Sequence, residues 1–463
     1  MKLENDWFIQ PTGDPFADVG GYVIEYFREK FPKKNILELI KEATYIYVKN
    51  WDNNLHSFFL NSTITHNSNK GQKGIDKTLE YYQSLLEDKR DAQEGYCRIT
   101  GQKTKLYFAG RDNHIMSGSA TLINFHHGFQ SGILLSKEVL IRIFFSPLGL
   151  IQLGNKVALI QSNNEEVNRY FVKRILDNNF KDLASGISKS LQKSEFSNPA
   201  NTLFDFAHKC ISDLKIAASD NTTGTKGITL NLYHFTNFGA SPEIKLYTLP
   251  AVVFLFYQKC LSLEFKSDWQ RFVNYHYRSS GFKDAYYNDA TSTWENKKDS
   301  VGYDDYKTWR NPVYERLLNG ESLLGLFERW SRKNKLNIKI IEIYQQVLRN
   351  MDKRTLQKIQ DLTNFIIEDK DFTKKSITRL NGMKSGYDIR QFFLNLIAKN
   401  YYNKNEKALI TLEDYVEYLF PDGASWRDIR DLLLISIYQK LHETDTSLDI
   451  EMPELEAEQE LES

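Results

Sequence analysis

Cys97, in the stretch "CRITG", has a sequence context typical of metal binding. A cysteine, two spacers, and then Thr100 and Gly101 form half of a C-x-x-C-G zinc knuckle in which a hydroxyl replaces the second sulfur. The remaining cysteines, Cys210 and Cys260, are far away in the sequence, and the total of three is odd. This argues against a disulfide scaffold and favours a reducing compartment, so we expect a cytoplasmic protein.

Two further pairs could in principle serve an enzyme. His126 and His127 are adjacent, and neighbouring rings on a helix do not reach one metal ion, which favours a polar loop. Asp304 and Asp305 in "GYDDY" could support a metal-dependent nuclease, although side chains next to each other on an extended chain point to opposite faces. Phosphate-binding glycine loops, nucleophile elbows and H-E-x-x-H are all missing from the sequence. The residues therefore give no positive support to an enzymatic activity.

Local charge and polarity suggest nucleic-acid contacts. The 60 basic and 60 acidic residues cancel, yet residues 370–407 hold nine Lys or Arg and three acids. This cluster is either a phosphate-binding surface or an ordinary solvated helix face. The segment Ala109–Gly132 is rich in Gly, Ser and Asn, and the segment Asn67–Lys73 is rich in Asn and Lys. They are either base-contacting loops or surface loops without a role.

The elements that must position these residues are predicted from periodicity. Helical patterns dominate the first ninety residues, and short extended segments follow to about residue 162. The stretch "GITLNLYHFTNFGASPEIKLYTLP" predicts a strand pair, which ends at Pro250, where a helix starts. From Pro312 to His442 nearly every segment is an amphipathic helix. We therefore predict an α+β fold with a mixed body over 1–311, a helical bundle over 312–446 and an acidic disordered tail over 447–463.

The N-terminus lacks an apolar signal core, and no apolar run is long enough to span a bilayer. These features predict a protein that is neither secreted nor inserted in a membrane.

Four ordered stretches resemble one family. The first stretch, "PTGDPFADVGGYVI", is similar to a T-G-x-P-F-x-D-x-G opening, and the second, "CRITG", is similar to a first C-x-x-C-G. The third, "GILLSKEVLIRIFFSPLGL", is similar to a second C-x-x-C stretch that ends in P-L-G. The fourth, "YHFTNFGASPEIKLYTLP", is similar to an F-x-N-x-G strand pair. The family is the large subunit of the type I-B CRISPR Cascade surveillance complex, in its Cas8b/Cst1-like branch. The resemblance spans roughly residues 11–360, in the order that the family has.

The resemblance implies a zinc site that this chain has lost. Related members place four cysteines at the positions occupied here by Cys97, Thr100, Ser136 and Val139. Because one sulfur does not hold a structural zinc ion, we expect no metal and no cofactor, with Cys97 buried and Val139 replacing coordination by packing.

The resemblance also implies that the subunit reads the PAM, a short motif in target duplex DNA, while guide RNA reads the target sequence. The family signature marks no DNA-contacting residue, so our candidates rest on side-chain chemistry alone. For base contacts they are Asn113, Ser117, Ser119, Asn124 and Gln130, and for phosphate contacts Lys70, Lys73 and Arg111. Candidates for holding an opened DNA strand in the R-loop are Lys374, Lys375, Arg379, Lys384 and Arg390.

The implied partners are guide RNA, target double-stranded DNA, the backbone, 5′-handle-binding and small Cascade subunits, and a recruited helicase–nuclease or transposition proteins. In relatives an internal start yields a separate small subunit, and Met351 lies where such a start would fall. Two alternatives stay open: a metal-dependent nuclease, and a structural scaffold that contacts only guide RNA and protein. The sequence also leaves open whether Trp7, Trp269 and Trp309 stack on bases or pack in the core.

Overall fold

A computed structural model describes residues 8, 10–55, 58–60, 62–115, 132–214, 227–236, 243–282, 285–288, 290–291, 293–296, 303–420, 425–444 and 446. Helices account for 55% of it and strands in small sheets for 12%, which confirms the α+β class. The chain divides into two compact units. The N-terminal unit comprises residues 1–216 and 228–249, and the C-terminal unit comprises residues 217–227 and 250–463.

The N-terminal unit combines helices with two sheets. Its helices are α1 (Pro15–Lys30), α2 (Ile36–Tyr45, continued by a π-helical turn Ile46–Asn50), α3 (Gln72–Leu86), α4 (Lys137–Phe145, continued by a 3-10 turn Ser146–Gly149), α5 (Glu165–Ala184) and α6 (Pro199–Asp213). Antiparallel strands β1 (Gln93–Tyr96), β2 (Lys103–Ala109) and β3 (Ile133–Ser136) form one sheet in that order.

The second sheet has five strands in the order β6-β4-β5-β7-β8. They are β4 (Ile151–Leu153), β5 (Lys156–Ser162), β6 (Gln192–Lys193), β7 (Leu230–Thr236) and β8 (Glu243–Leu249). Leu153 pairs with Lys156 across a two-residue turn, in which Gly154 adopts φ +61°, a conformation that suits glycine. β7 pairs with β8 from Leu230 opposite Leu249 to Thr236 opposite Glu243. The strand pair predicted from sequence is therefore confirmed.

Helix α1 begins with an N-terminal capping arrangement. Asp14 accepts a hydrogen bond from the Ala17 N–H at 2.8 Å, and Pro15 occupies the first helical position, where its missing N–H costs nothing. The Asp18 carboxylate accepts from both the backbone N–H and the hydroxyl of Thr12, each at 2.7 Å. The "PTGDPFAD" stretch thus fixes the entry of the chain into α1.

The C-terminal unit is mainly helical. Its helices are α7 (Ala251–Cys260), α8 (Lys266–Tyr275), α9 (Tyr303–Tyr306), α10 (Pro312–Asn319), α11 (Leu324–Ser331), α12 (Ile338–Leu348), α13 (Lys353–Ile367), α14 (Lys370–Asn381), α15 (Gly386–Tyr402) and α16 (Trp426–Glu443). A π-helical turn Asp414–Leu419 precedes α16, and strands β9 (Tyr286–Asn288) and β10 (Thr293–Glu295) form a small hairpin.

The boundary between the units falls at residues 249–250, before the domain boundary predicted after residue 311. Aromatic packing explains why α7 and α8 join the later helices. The Phe256 ring lies 5.7 Å from that of Tyr344, and the Phe272 ring stacks 4.7 Å from that of Phe327. Residues 447–463, predicted to be a disordered tail, lie outside the described residues. Among the described residues, no helix combines the length and the hydropathy needed to cross a bilayer.

Candidate nucleic-acid interface

The four positions that correspond to zinc-binding cysteines in the resembled family lie together in the N-terminal unit. Cys97 follows β1 in a tight turn, is 2% exposed, and its Sγ accepts a hydrogen bond from the Ser136 N–H at 3.5 Å. Ser136 caps α4, and its hydroxyl accepts from the N–H of Val139 at 3.4 Å. Val139 is fully buried, as predicted. Two hydrogen bonds therefore link Cys97 to Ser136 and Ser136 to Val139.

The side chains at these four positions do not form a set of zinc ligands. Burial by itself raises the pKa of Cys97, but hydrogen bonds from the Thr100 hydroxyl and from the backbone N–H groups of Thr100, Ser136 and Ile99 outweigh it and lower that pKa. One thiol, two hydroxyls and an apolar side chain do not fit a structural zinc ion. In the described part of the chain, no group of three His, Cys, Asp or Glu side chains could hold a metal ion. Hydrogen bonds and packing hold these four positions together.

A basic groove opens in the same unit between the end of α2 and the start of α3. Its volume is about 810 Å³, and its polar lining comprises Lys49, Asp52, Asn53, Asn54, Thr65, His66, Asn67, Lys70 and Lys189. The three lysines are exposed and, within the residues described, form no ion pair. Asp52 supplies the one carboxylate of the lining. We call this cavity the basic groove.

The wall of the basic groove is rigid where it carries Lys189. The Trp51 ring is buried, and its Nε1–H donates to the Ser188 hydroxyl at 3.0 Å. This bond fixes the neighbouring Lys189 beside the end of α2. Asn53 adopts the left-handed conformation (φ +60°) that ends the π-helical turn, and its N–H donates to the Tyr47 carbonyl at 2.9 Å. The Asn53 Oδ1 is buried without a hydrogen-bond partner.

The two lysines predicted in the Asn67–Lys73 loop differ in their surroundings. Lys70 lines the basic groove and is exposed. Lys73 lies in the first turn of α3, because the helix starts at Gln72, earlier than the sequence pattern suggested. Its Nζ donates to the Ser68 carbonyl at 3.1 Å and so closes the loop onto the helix. The structure thus places Lys70 in the cavity and gives Lys73 a bond within its own loop.

Arg111 and Asn113 lie outside the lining of the basic groove, and Asn113 instead lines a second, smaller cavity with Thr63 and Tyr81. The Arg111 carbonyl accepts from the Leu60 N–H at 2.7 Å. The Asn113 side chain accepts from the Gly110 N–H and donates to the Tyr81 hydroxyl, both at 2.9 Å. One amide N–H and one lone pair of Asn113 remain for a ligand. The other predicted base-contacting residues lie outside the described residues: Ser117, Ser119, Asn124 and Gln130, and with them His126 and His127.

A second basic surface lies in the C-terminal unit. Its members are all exposed and, in the part of the chain that the structure describes, make no ion pair: Lys374, Lys375, Arg379, Lys384 and Arg390. We call these five residues the basic face. Lys399 differs from them, because its Nζ lies 3.2 Å from an Asp369 carboxylate oxygen and 3.4 Å from the centre of the Phe372 ring. That contact ties α15 to the start of α14.

Sequence reasoning missed several residues of these surfaces. Lys49 and Lys189 were not distinguished, because they come from segments that only the tertiary fold brings to Lys70. Exposed side chains of α15 were also missed, namely Tyr387, Leu394, Ile397, Tyr401 and Tyr402. Their helical spacing is visible in the sequence, but an amphipathic pattern alone does not tell whether a given apolar residue is buried or exposed.

The remaining candidates are the three tryptophans that could stack on bases and the "GYDDY" segment. Trp269 and Trp309 are buried, with rings 5.4 Å from Phe256 and 5.2 Å from Phe282, so they pack in the core. Trp7 lies outside the described residues. The "GYDDY" segment, interpreted as an extended turn, instead forms the short helix α9, on which Asp305 is exposed.

A comparison with protein-family models gives a match to the C-terminal part of the chain. Residues 328–462 match the family model of the DevT C-terminal domain. No curated protein matches the chain significantly. DevT is associated with Cas8b/Cst1-like type I-B proteins, and the matched segment makes up less than half of the chain. The C-terminal region is therefore similar to a CRISPR-associated domain, and the match is a weak pointer to that family.

Proposed function

We propose that this protein is the non-catalytic large subunit of a type I-B Cascade, which recognises the PAM in target duplex DNA and helps to open and hold the R-loop. The DevT match supports the CRISPR context of the C-terminal region. The observation that carries the DNA-contacting role is the basic groove, because it gathers amide side chains and lysines that form no ion pair with the described residues in one cavity of the N-terminal unit.

Lysines and amides have different tasks in such a cavity. Lys49, Lys70 and Lys189 bind phosphates and set the position of the duplex, which contributes affinity without sequence information. Asn67, which is exposed at the lip of the basic groove, offers the donor and acceptor pair that recognises an adenine edge. The base-contact candidates between residues 116 and 131, together with Arg111 and Asn113, belong to the same proposal on the ground of their side-chain chemistry alone.

The basic face supplies the second part of the function. A displaced single strand needs phosphate contacts along a path and aromatic surfaces for unstacked bases. Lys374, Lys375 and Arg379 lie on the exposed side of α14, and Tyr387 and Tyr401 are exposed on α15. The C-terminal helices therefore offer both kinds of contact.

The partners follow from this role. They are guide RNA, target DNA, the other Cascade subunits, and a helicase–nuclease or transposition proteins that the complex recruits in the cytoplasm. Guide RNA selects the target, and this subunit supplies the flanking-sequence test that starts duplex opening. The chain itself performs no bond cleavage in this scheme.

The testing experiment is target binding by the reconstituted complex, with and without this chain, across a library of flanking sequences. We expect omission of the chain to abolish both tight binding and flank preference. Retention of both without the chain would overturn the proposal in favour of a scaffold. Cleavage of target DNA by the purified chain with Mg²⁺ or Mn²⁺, lost in Asp304→Ala, would support the nuclease alternative.

A further inference from the structure

We propose that the acidic segment 447–463 of this chain binds the basic face and the exposed apolar side of α15, where it competes with nucleic acid. The inference rests on the proposed strand-binding role of that face, to which it adds regulation by the chain itself.

The basic face carries charge that the surrounding fold does not neutralise. Residues 370–407 contain nine Lys or Arg and three acids, an excess of six positive charges. One of the acids, Asp388, is engaged in capping α15, where it accepts from the N–H groups of Lys384 at 3.0 Å and Ser385 at 2.8 Å. The five cations of the basic face have no ion-pair partner among the described residues. An anionic occupant is therefore favoured.

Helix α15 also carries an exposed apolar row. Tyr387, Leu394, Ile397 and Tyr401 follow one another at helical spacing along α15, and Leu394 is 54% and Tyr401 79% exposed. Arg390 belongs to the same row. A bound DNA strand would place its phosphates against the cations and stack its bases on the tyrosines. It would leave Leu394 and Ile397 without apolar partners. An occupant with both carboxylates and aliphatic side chains matches the whole surface.

Segment 447–463 has this composition. Its seventeen residues include seven Asp or Glu and no Lys or Arg. Aliphatic residues alternate with the acids at its start, as Leu448, Asp449, Ile450, Glu451 and Met452, and Leu455 and Leu461 follow. The charge of the segment is therefore complementary to the basic face, and its apolar residues are complementary to α15.

The covalent connection places the segment within reach. The hydroxyl of Tyr438 on α16 makes a hydrogen bond with Asn381, the last residue of α14. From Tyr438 to Thr446 the chain extends about 12 Å if it continues at a helical rise. A segment of seventeen residues then spans up to about 55 Å when extended. Tethered ligands of this length reach effective concentrations in the millimolar range, so weak contacts suffice.

The test compares three chains: the full protein, a variant truncated after Thr446, and a full-length variant in which Glu454, Glu456, Glu458, Glu460 and Glu462 are changed to Gln. The first probe is a fluorescein-labelled oligothymidylate. We expect truncation to tighten its binding on the order of tenfold at ~0.1 M salt, and the Gln variant to behave like the truncated chain. The second probe is a labelled peptide of residues 447–463, which should bind the truncated chain.

Matched substitutions locate the site. Lys374→Ala with Lys375→Ala should weaken both probes, Leu394→Ser with Ile397→Ser should weaken the peptide more than the oligonucleotide, and Lys353→Ala, an exposed lysine of α13, should change neither. Equal oligonucleotide binding by all three chains, or no peptide binding, would overturn the tail proposal alone. Peptide binding by the truncated chain without any oligonucleotide binding would keep the tail contact and overturn the strand-binding role.

Discussion

Gly20 of α1 lies against the backbone of Arg142 in α4, so closely that a Cβ on the glycine would be 1.7 Å from the Arg142 carbonyl oxygen. The two helices therefore pack backbone to backbone. The Arg142 guanidinium reaches back to α1, where it donates to the Gln10 carbonyl at 2.8 Å and lies 3.6 Å from the Asp18 carboxylate. The N-terminal motif and the helix that follows the knuckle form one packed body.

We predict that Gly20→Ala destabilises the N-terminal unit by about 3 kcal/mol or more, since backbone atoms cannot move aside as a flexible side chain can. Thermal unfolding followed by circular dichroism would show this as a lower transition temperature. The control is Gly325→Ala in α11, where nothing lies within 4 Å of the added Cβ. There the change should be neutral or slightly stabilising. Equal effects at both glycines would contradict the packing argument.

At the knuckle, we expect a chelator such as EDTA to leave the urea-unfolding midpoint unchanged. Cys97→Val should cost about 1–3 kcal/mol more than Cys97→Ser, because a serine oxygen can still accept the backbone N–H bonds that now reach the sulfur.

Cys210 on α6 serves as the comparison for this pair of substitutions. It is fully buried, and burial raises its thiol pKa to about 12. No hydrogen bond reaches its sulfur from the described residues, so valine should be tolerated better than serine there. The same order of stability at both cysteines would refute the role assigned to the Cys97 hydrogen bonds.

Stability should fall in acid because of His276. Burial lowers the pKa of this histidine to about 3, and its Nδ1 lies 2.7 Å from the Phe272 carbonyl oxygen. The unfolded chain therefore binds the proton first, near pH 6.5, and the free energy of unfolding decreases as the pH falls from 6.5 toward 3. The steepest loss from this group is about 1.4 kcal/mol per pH unit.

His276→Phe keeps an aromatic ring beside Phe272 and should flatten the pH dependence, measured by urea unfolding between pH 4 and 7. His66→Phe, at an exposed position, should leave the slope as it is. A slope unchanged in His276→Phe would show that other groups determine the acid response.

In the reconstituted complex, each of Lys49→Ala, Lys70→Ala and Lys189→Ala should reduce the slope of log K against log salt by about 0.9 for duplex target, without changing flank preference. Asn67→Ala should instead weaken that preference by about 1–3 kcal/mol at one base position. Lys77→Ala, an exposed lysine of α3 outside the basic groove, is the matched control. Identical behaviour of Lys70→Ala and Lys77→Ala would exclude the groove as the duplex site.

Much of the fold was predictable because local signals agree with it. The cap at Asp14, the turn at Gly154 and the helix start after Pro250 each follow from residue types that only certain backbone conformations accommodate. The segment Asn67–Lys73 was interpreted as a loop, but α3 already begins at Gln72. Gly74 lies inside that helix, where the Asn69 carbonyl oxygen would be 2.4 Å from an added Cβ.

The candidate site was harder to predict than the fold. Lys70 could be proposed from its polar loop, but its association with Lys189 depends on the Trp51–Ser188 hydrogen bond, whose partners lie 137 residues apart in sequence. The role of Asn113 within its loop similarly depends on Tyr81, which lies 32 residues earlier. Contacts between distant segments produce such sites, and periodicity in a single sequence does not encode them.

The position of Met351 has a consequence for any shorter product of the same gene. Met351 directly precedes Asp352, which caps α13, so a polypeptide that began there would contain α13 to α16 intact. It would lack the upstream residues that hold α16, where Gln439 accepts from the Leu336 N–H at 3.2 Å and His442 lies 2.8 Å from the Ser331 carbonyl oxygen. The part of α16 that packs on α11 would lose its partner in such a product, whereas the part that packs on α13 would stay covered.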